Sequence, residues 1–252
     1  MTSFMSEPAG APTTDAPPFH AVRMDQVRRL CRGAASIDGP FELERWTSSV
    51  LGRIWVRRAP VKDLPDEDLM LVVGKPILDA CLSIGGRQGK IVLSAIAQMD
   101  RGQLGVVARV LADAVPKARL PRWMPDVGNA PVVRAFSADS PGDGEAVLLH
   151  AERGQGDAHM IAAWIDEPLG RIVKWVQLLR VVDPNDPEIA GEERLHFREV
   201  DPTLTARRVA SAIERTDAIL PPLVGDEFSG CRALAIARVT PQPAKLTHAI
   251  AS

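Results

Sequence analysis

The sequence predicts an α+β protein: an N-terminal helical bundle, a small central antiparallel sheet, and two C-terminal helices packing on that sheet. Three observations carry this. Between His20 and Gln103 the apolar residues recur at helical spacing. After Pro121, Pro125 and Pro131 the pattern shortens to strand-length segments separated by turn residues. From Asp201 onward helical signals return, opened by an N-cap and an N1 proline. Helices that follow a sheet in sequence pack on one of its faces.

The chain has 252 residues, 46% of them hydrophobic and 25% charged, with a net charge of −2. That is ordinary for a globular chain with a substantial core. Near neutrality gives no overall pull toward nucleic acid or anionic lipid. The local balance differs: eight Arg face four acids from Phe19 to Arg58, and twelve acids face six bases from Ser140 to Val200. No apolar run approaches the roughly 18 residues that span a bilayer, and no basic-then-apolar leader opens the chain. Cytoplasmic localisation is the expectation, with no membrane partner.

Residues 1–18, rich in Ser, Thr, Pro, Ala and Gly, read as a disordered tail. The helical region is placed at 19–125. Val27 and Leu30 begin the apolar side of a short Arg-rich helix that stops near Gly33. Asp38-Gly39-Pro40 opens a second helix with Leu43, Trp46, Val50 and Ile54 on one face. Its first turn holds Glu42 and Glu44 and its end Arg57-Arg58, as the helix dipole favours. A third helix runs from Asp66 toward Leu82, with Gly74-Lys75-Pro76 expected to kink or divide it. Gly85-Gly86 stops it, and Lys90–Met99 and Gln103–Val115 follow as a helix pair. These last segments look like stacked α-hairpins of the HEAT kind, but no repeat has a fixed period. A small orthogonal bundle is therefore expected.

The region 126–200 is predicted to be antiparallel β with one helix. Val132–Ala138 alternates as a strand, and Ser140-Pro141-Gly142-Asp143-Gly144 is a turn. Glu145 to Asp166 reads as a hairpin about Gly154-Gln155, in a register that sets His150 opposite His159. Leu169, Ile172, Val173, Val176 and Leu179 mark a helical face, although their β-branched content leaves a strand open. Leu195–Val200 is expected to return as a last strand. The C-terminal helices are placed at 201–239, from Thr203 to Leu220 and from Asp226 to Arg238, and 240–252 as a flexible tail.

Directly opposed side chains on paired strands have Cβ atoms about 4.5–5.5 Å apart. Two imidazoles that close can share a divalent metal ion. On the predicted register His150 and His159 are such a pair, with Asp166 or Glu167 as third ligand or general base. Against this, Asp166 belongs to the other face, and a one-residue slip separates the histidines. The second candidate is the segment Trp164–Trp175, in which Asp166, Glu167, Arg171 and Lys174 lie between two tryptophans, Trp164 and Trp175. Aromatic walls with a few charges make ligand pockets, and the same charges also describe an ordinary capped helix. The pattern Ile165-Asp166, Leu169-Gly170, Lys174 resembles a junction in uncharacterised actinobacterial proteins; the resemblance covers about a dozen residues and implies no activity.

Other patterns point away from chemistry. Gly85-Gly86-Arg87-Gln88-Gly89-Lys90 departs from a phosphate-binding loop, which needs glycine at Ile84 and a hydroxyl at Ile91. The arginines Arg23, Arg28, Arg29, Arg32, Arg53, Arg57 and Arg58 lack a recognition motif, so nucleic acid is not the expected partner. Cys31, Cys81 and Cys231 are odd in number and widely spaced, which speaks against a disulfide framework or zinc knuckle. No serine, cysteine or metalloprotease nucleophile motif is present. The leading expectation is a non-enzymatic protein that binds a partner protein or small ligand, with no cofactor. A metal-dependent hydrolase using His150 and His159 is the alternative, and a nucleic-acid-associated regulator the third.

Overall fold

The computed structural model describes residues 24–57, 66–116, 118–140, 144–154, 157–181, 183–184, 195–219, 224 and 226–240. Among these, five helices come first: α1 (Met24–Ala35), α2 (Pro40–Val56), α3 (Asp66–Ile84), α4 (Gly86–Met99) and α5 (Gln103–Ala114). Strands β1 (Val132–Ser140), β2 (Gly144–Glu152), β3 (Ala158–Asp166), β4 (Ile172–Leu179) and β5 (Arg198–Val200) follow, then α6 (Pro202–Asp217) and α7 (Asp226–Val239). The strands form one antiparallel sheet in the order β4-β3-β2-β1-β5. The α+β architecture is thus as the sequence predicts, with the C-terminal helices on the sheet. Both predicted tails lie outside the described residues, Thr240 apart.

Local chemistry explains most element ends. Asp201 accepts the Leu204 N–H at 2.7 Å, and Pro202 occupies the first turn where no N–H is needed. Gly85, at φ 60°, turns the chain between α3 and α4 in a conformation that glycine adopts without strain. Pro76 does not divide α3. Pro76 has no N–H to give the Val72 carbonyl, and Val72 lies on an exposed side of the helix.

One face of the sheet joins the helical core. Ala135, Val147, Leu149, Ile161, Ala163, Ile165, Val173 and Val176 share a single apolar cluster with α2, α4, α6 and α7. The other face carries a smaller cluster of Phe136, Leu148, Met160 and Ala162, packed by Trp175, Leu179 and Phe197. The two helical layers meet tightly along α2 and α7. A Cβ on Gly52 would come 2.1 Å from the Ser229 carbonyl oxygen, so only glycine fits there.

Two predictions fail in the sheet, each for a definable reason. Leu169–Leu179 is not a helix: residues from Ile172 form β4. The β3–β4 register shifts at Trp164/Ile165, pairing Trp164 with Trp175 and Ile165 with Val173. Lys174 is the extra residue of a bulge, which sets Val173 and Val176 on one face at a three-residue step. That step mimics helical periodicity. The hairpin register is also off by one. The predicted tight turn is a five-residue connection from Arg153 to Asp157, since Glu152 pairs with Ala158. An ion pair from Arg153 Nη1 to Asp157 Oδ2, 2.6 Å long, closes it.

Candidate functional site

The register decides the fate of the histidine pair. His150 lies opposite Met160, and His159 opposite Ala151. The two imidazoles therefore occupy opposite faces. Asp166 pairs with Gly144 at the far end of β3, six residues from Met160 and on the order of 20 Å from His150 at strand rise. The ligand set His150, His159 and Asp166 is not brought together. Among the described residues no group of three or more His, Cys, Asp or Glu is placed to hold a metal ion.

His159 instead joins a buried ionic cluster that the sequence did not reveal. Glu44 of α2, with no exposed surface, accepts hydrogen bonds from the Gly128 N–H, from Arg153 at 2.5 Å and from Arg238 of α7. Arg238 Nε donates to His159 Nε2 at 3.0 Å, and Phe41 stacks on the imidazole with centroids 4.5 Å apart. Burial first, then the Arg238 and Arg153 charges, push the His159 pKa down to about 3, so the ring is neutral. With Nε2 accepting from Arg238, the neutral ring carries its proton on Nδ1. This cluster staples α2, α7 and the β2–β3 connection together, with Glu44 and Arg238 fully buried and Arg153 at its partly exposed edge.

The opposite end of the sheet is open. A cleft of about 390 Å³ lies between the adjoining ends of β1 and β2, the β3–β4 turn and Arg208 of α6. Asp139, Ser140, Gly144, Glu145, Glu167, Pro168, Arg171 and Arg208 line it. Three carboxylates and two guanidiniums thus face one space. Arg208 pairs with the buried Glu145 at 2.8 Å, Arg171 with Glu167 at 2.8 Å, and Asp139 with Arg198 at 2.8 Å. The Arg171–Glu167 and Asp139–Arg198 pairs are exposed, so water and salt already compete for them.

The β3–β4 turn builds one wall. Asp166 Oδ1 accepts the Leu169 N–H at 2.9 Å, and the Arg171 N–H bonds the Asp166 carbonyl at 2.9 Å. Gly170 and Arg171 both have positive φ, 86° and 64°. For arginine this left-handed conformation costs about 1 kcal/mol or more. Its guanidinium is thereby held over Glu167 at the rim of the cleft.

The predicted Trp164–Trp175 segment is therefore partly assembled. Glu167 and Arg171 line the cleft. Asp166 sits behind it as the turn's internal cap, with Lys174 Nζ 3.6 Å from Oδ2. Trp164 and Trp175 form a cross-strand pair on the face of the smaller apolar cluster and are not among the residues that line the cleft. Asp139, Glu145 and Arg208 are the cleft residues that sequence reasoning missed. They lie on three different elements, and no local spacing marks them.

The chain matches no family model, no curated protein and no solved structure. What fold and site define is an α+β protein with a charged cleft at one end of its sheet and a largely buried ionic cluster at the other. No helix among the described residues is long and apolar enough to cross a membrane.

Proposed function

We propose that this is a cytoplasmic binding protein, acting without catalysis, whose sheet-end cleft takes a small zwitterionic molecule such as an amino acid or short peptide. One observation carries the reading: a cleft of ligand size, about 390 Å³, offers both signs of charge within a single wall. A ligand carboxylate exchanges with Glu167 on Arg171, and a ligand ammonium takes the carboxylates of Glu167 and Asp139. Both exchanges replace exposed ion pairs, which are worth little in water, so neither is costly. Arg208 stays on Glu145, and Ser140 adds a neutral donor. A metal-dependent reaction would need His150, His159 and Asp166 to converge, and the β2–β3 register separates them.

The test is a titration of the protein with a panel of L-amino acids and dipeptides, with acetate and ethylammonium as half-ligands. Saturable binding by members of the panel, weaker for either half-ligand and abolished by Arg171→Ala, is the expected result. Failure of every zwitterion to saturate overturns the proposal.

A further inference from the structure

Cys31 and Cys81 are 50 residues apart in sequence, and their sulfurs are 3.6 Å apart in the core. Both are free thiols with no exposed surface. Cys31 belongs to α1, a 12-residue helix that buries only Val27, Cys31 and Ala34. Cys81 belongs to α3, at a point where that helix is fixed. Its carbonyl accepts the Gly85 N–H at 3.0 Å, and a Cβ on Gly89 of α4 would stand 2.2 Å from the same oxygen. One sulfur is thus on a rigid wall and the other on a lightly anchored helix.

We propose that Cys31 and Cys81 form a peroxide-oxidisable pair that closes to a disulfide, tying α1 to α3. A disulfide bond is about 2.05 Å long, so the sulfurs must approach by about 1.5 Å. Side-chain rotation and a small shift of α1 supply that movement. Hydrogen peroxide is the oxidant, small enough to reach the pair during local opening of α1. The Cys31 thiolate attacks one peroxide oxygen and the O–O bond breaks. Hydroxide leaves and takes up the proton Cys31 has lost, giving water and a sulfenic acid on Cys31. Cys81 sulfur then attacks the Cys31 sulfur, and the S–O bond breaks. The departing hydroxide combines with the Cys81 proton as a second water. Two thiols are oxidised and one peroxide is reduced.

Chemistry favours this order of events. The hydrogen bond with Cys81 holds the Cys31 thiol below its ordinary pKa, against the opposing effect of burial. The same hydrogen bond, together with burial, pushes Cys81 up, so it keeps its proton until the second step. Cys231 of α7 is a third thiol, half-buried and raised by burial, and takes no part.

The experiment uses the full chain carrying Cys231→Ser, treated with hydrogen peroxide and then alkylated under denaturing conditions. Mass spectrometry is expected to show no alkylated thiol, the loss of two hydrogens and a Cys31–Cys81 cross-linked peptide. The melting temperature should rise by several degrees and return on reduction. Two alkylated thiols after treatment, or Cys31 carrying two or three oxygens without a cross-link, overturn the proposal. A second variant, Cys81→Ser, removes the resolving thiol and keeps a hydroxyl that can donate to Cys31 Sγ. Its Cys31 sulfenic acid should then be trapped by dimedone, and an unmodified Cys31 overturns the proposal equally.

Discussion

The two ends of the β2–β3 hairpin use the same residue types for opposite purposes. At one end Glu44, Arg238 and His159 are buried between α2, α7 and the sheet, with Arg153 joining them from a partly exposed position. At the other, about 26 Å away along β2, Glu167, Arg171, Asp139 and Arg208 line an open cleft. Residue identity does not separate these regions; burial does. The closed end cannot exchange partners without exposing a naked charge to a dry interior. The open end can, because water covers what a departing partner leaves.

Perturbations at the two ends should therefore differ in size and kind. The largest effect is expected from Glu44→Ala, which strands Arg238 and Arg153 without their shared carboxylate. It should cost about 3–5 kcal/mol in chemical denaturation, whereas Glu167→Ala at the open end should leave the denaturation midpoint nearly unchanged.

Acid titration sharpens the same contrast. The His159 pKa falls from its ordinary value of 6.5 to about 3 in the folded state. Between those values the unfolded chain binds the proton and the folded one does not. Stability contributed by the neutral ring is therefore complete above about pH 6.5 and is lost as pH falls toward 3, at up to about 1.4 kcal/mol per pH unit. Urea midpoints measured across this window should fall with pH in the parent and flatten in His159→Gln.

Two smaller effects belong to the open end. Arg208→Ala leaves the buried Glu145 carboxylate unpaired, which should lower stability by about 1–2 kcal/mol. Arg171→Gly relieves the left-handed arginine and should raise stability by about 1 kcal/mol. Zwitterion binding should disappear in that variant. A gain in stability with a loss of binding separates a functional arginine from a structural one. The smallest effect is expected at the sheet edge, where Arg134→Ala breaks a fully exposed pair with Glu199 and should leave the melting curve in place.

Most of the fold was legible because its signals are local. Asp201-Pro202 caps and starts α6 by chemistry confined to four residues, and α2 starts at Pro40 after Gly39 without a side-chain cap. The sheet's errors arose where local pattern and long-range pairing diverge. The bulge at Lys174 gives β4 the three-residue step of a helix, and the Arg153–Asp157 clamp lengthens the hairpin connection by enough to slip the register. Glu44 reads in sequence as a first-turn acid facing the helix dipole. Its partners Gly128, Arg153 and Arg238 are at least 84 residues away, so nothing nearby announces its burial. The cleft was half legible: Glu167 and Arg171 share one turn, while Asp139, Glu145 and Arg208 reach it only through strand pairing and the packing of α6.

Binding at the open cleft is tested most directly by a backbone amide NMR titration of the parent protein with the amino-acid and dipeptide panel. Saturable shifts are expected, confined to Asp139–Glu145, Glu167–Arg171 and the Arg208 turn of α6, with the amides around Glu44 and His159 unmoved. Saturable shifts centred on His159 and Gly128, or none at any ligand concentration, would contradict binding at the cleft.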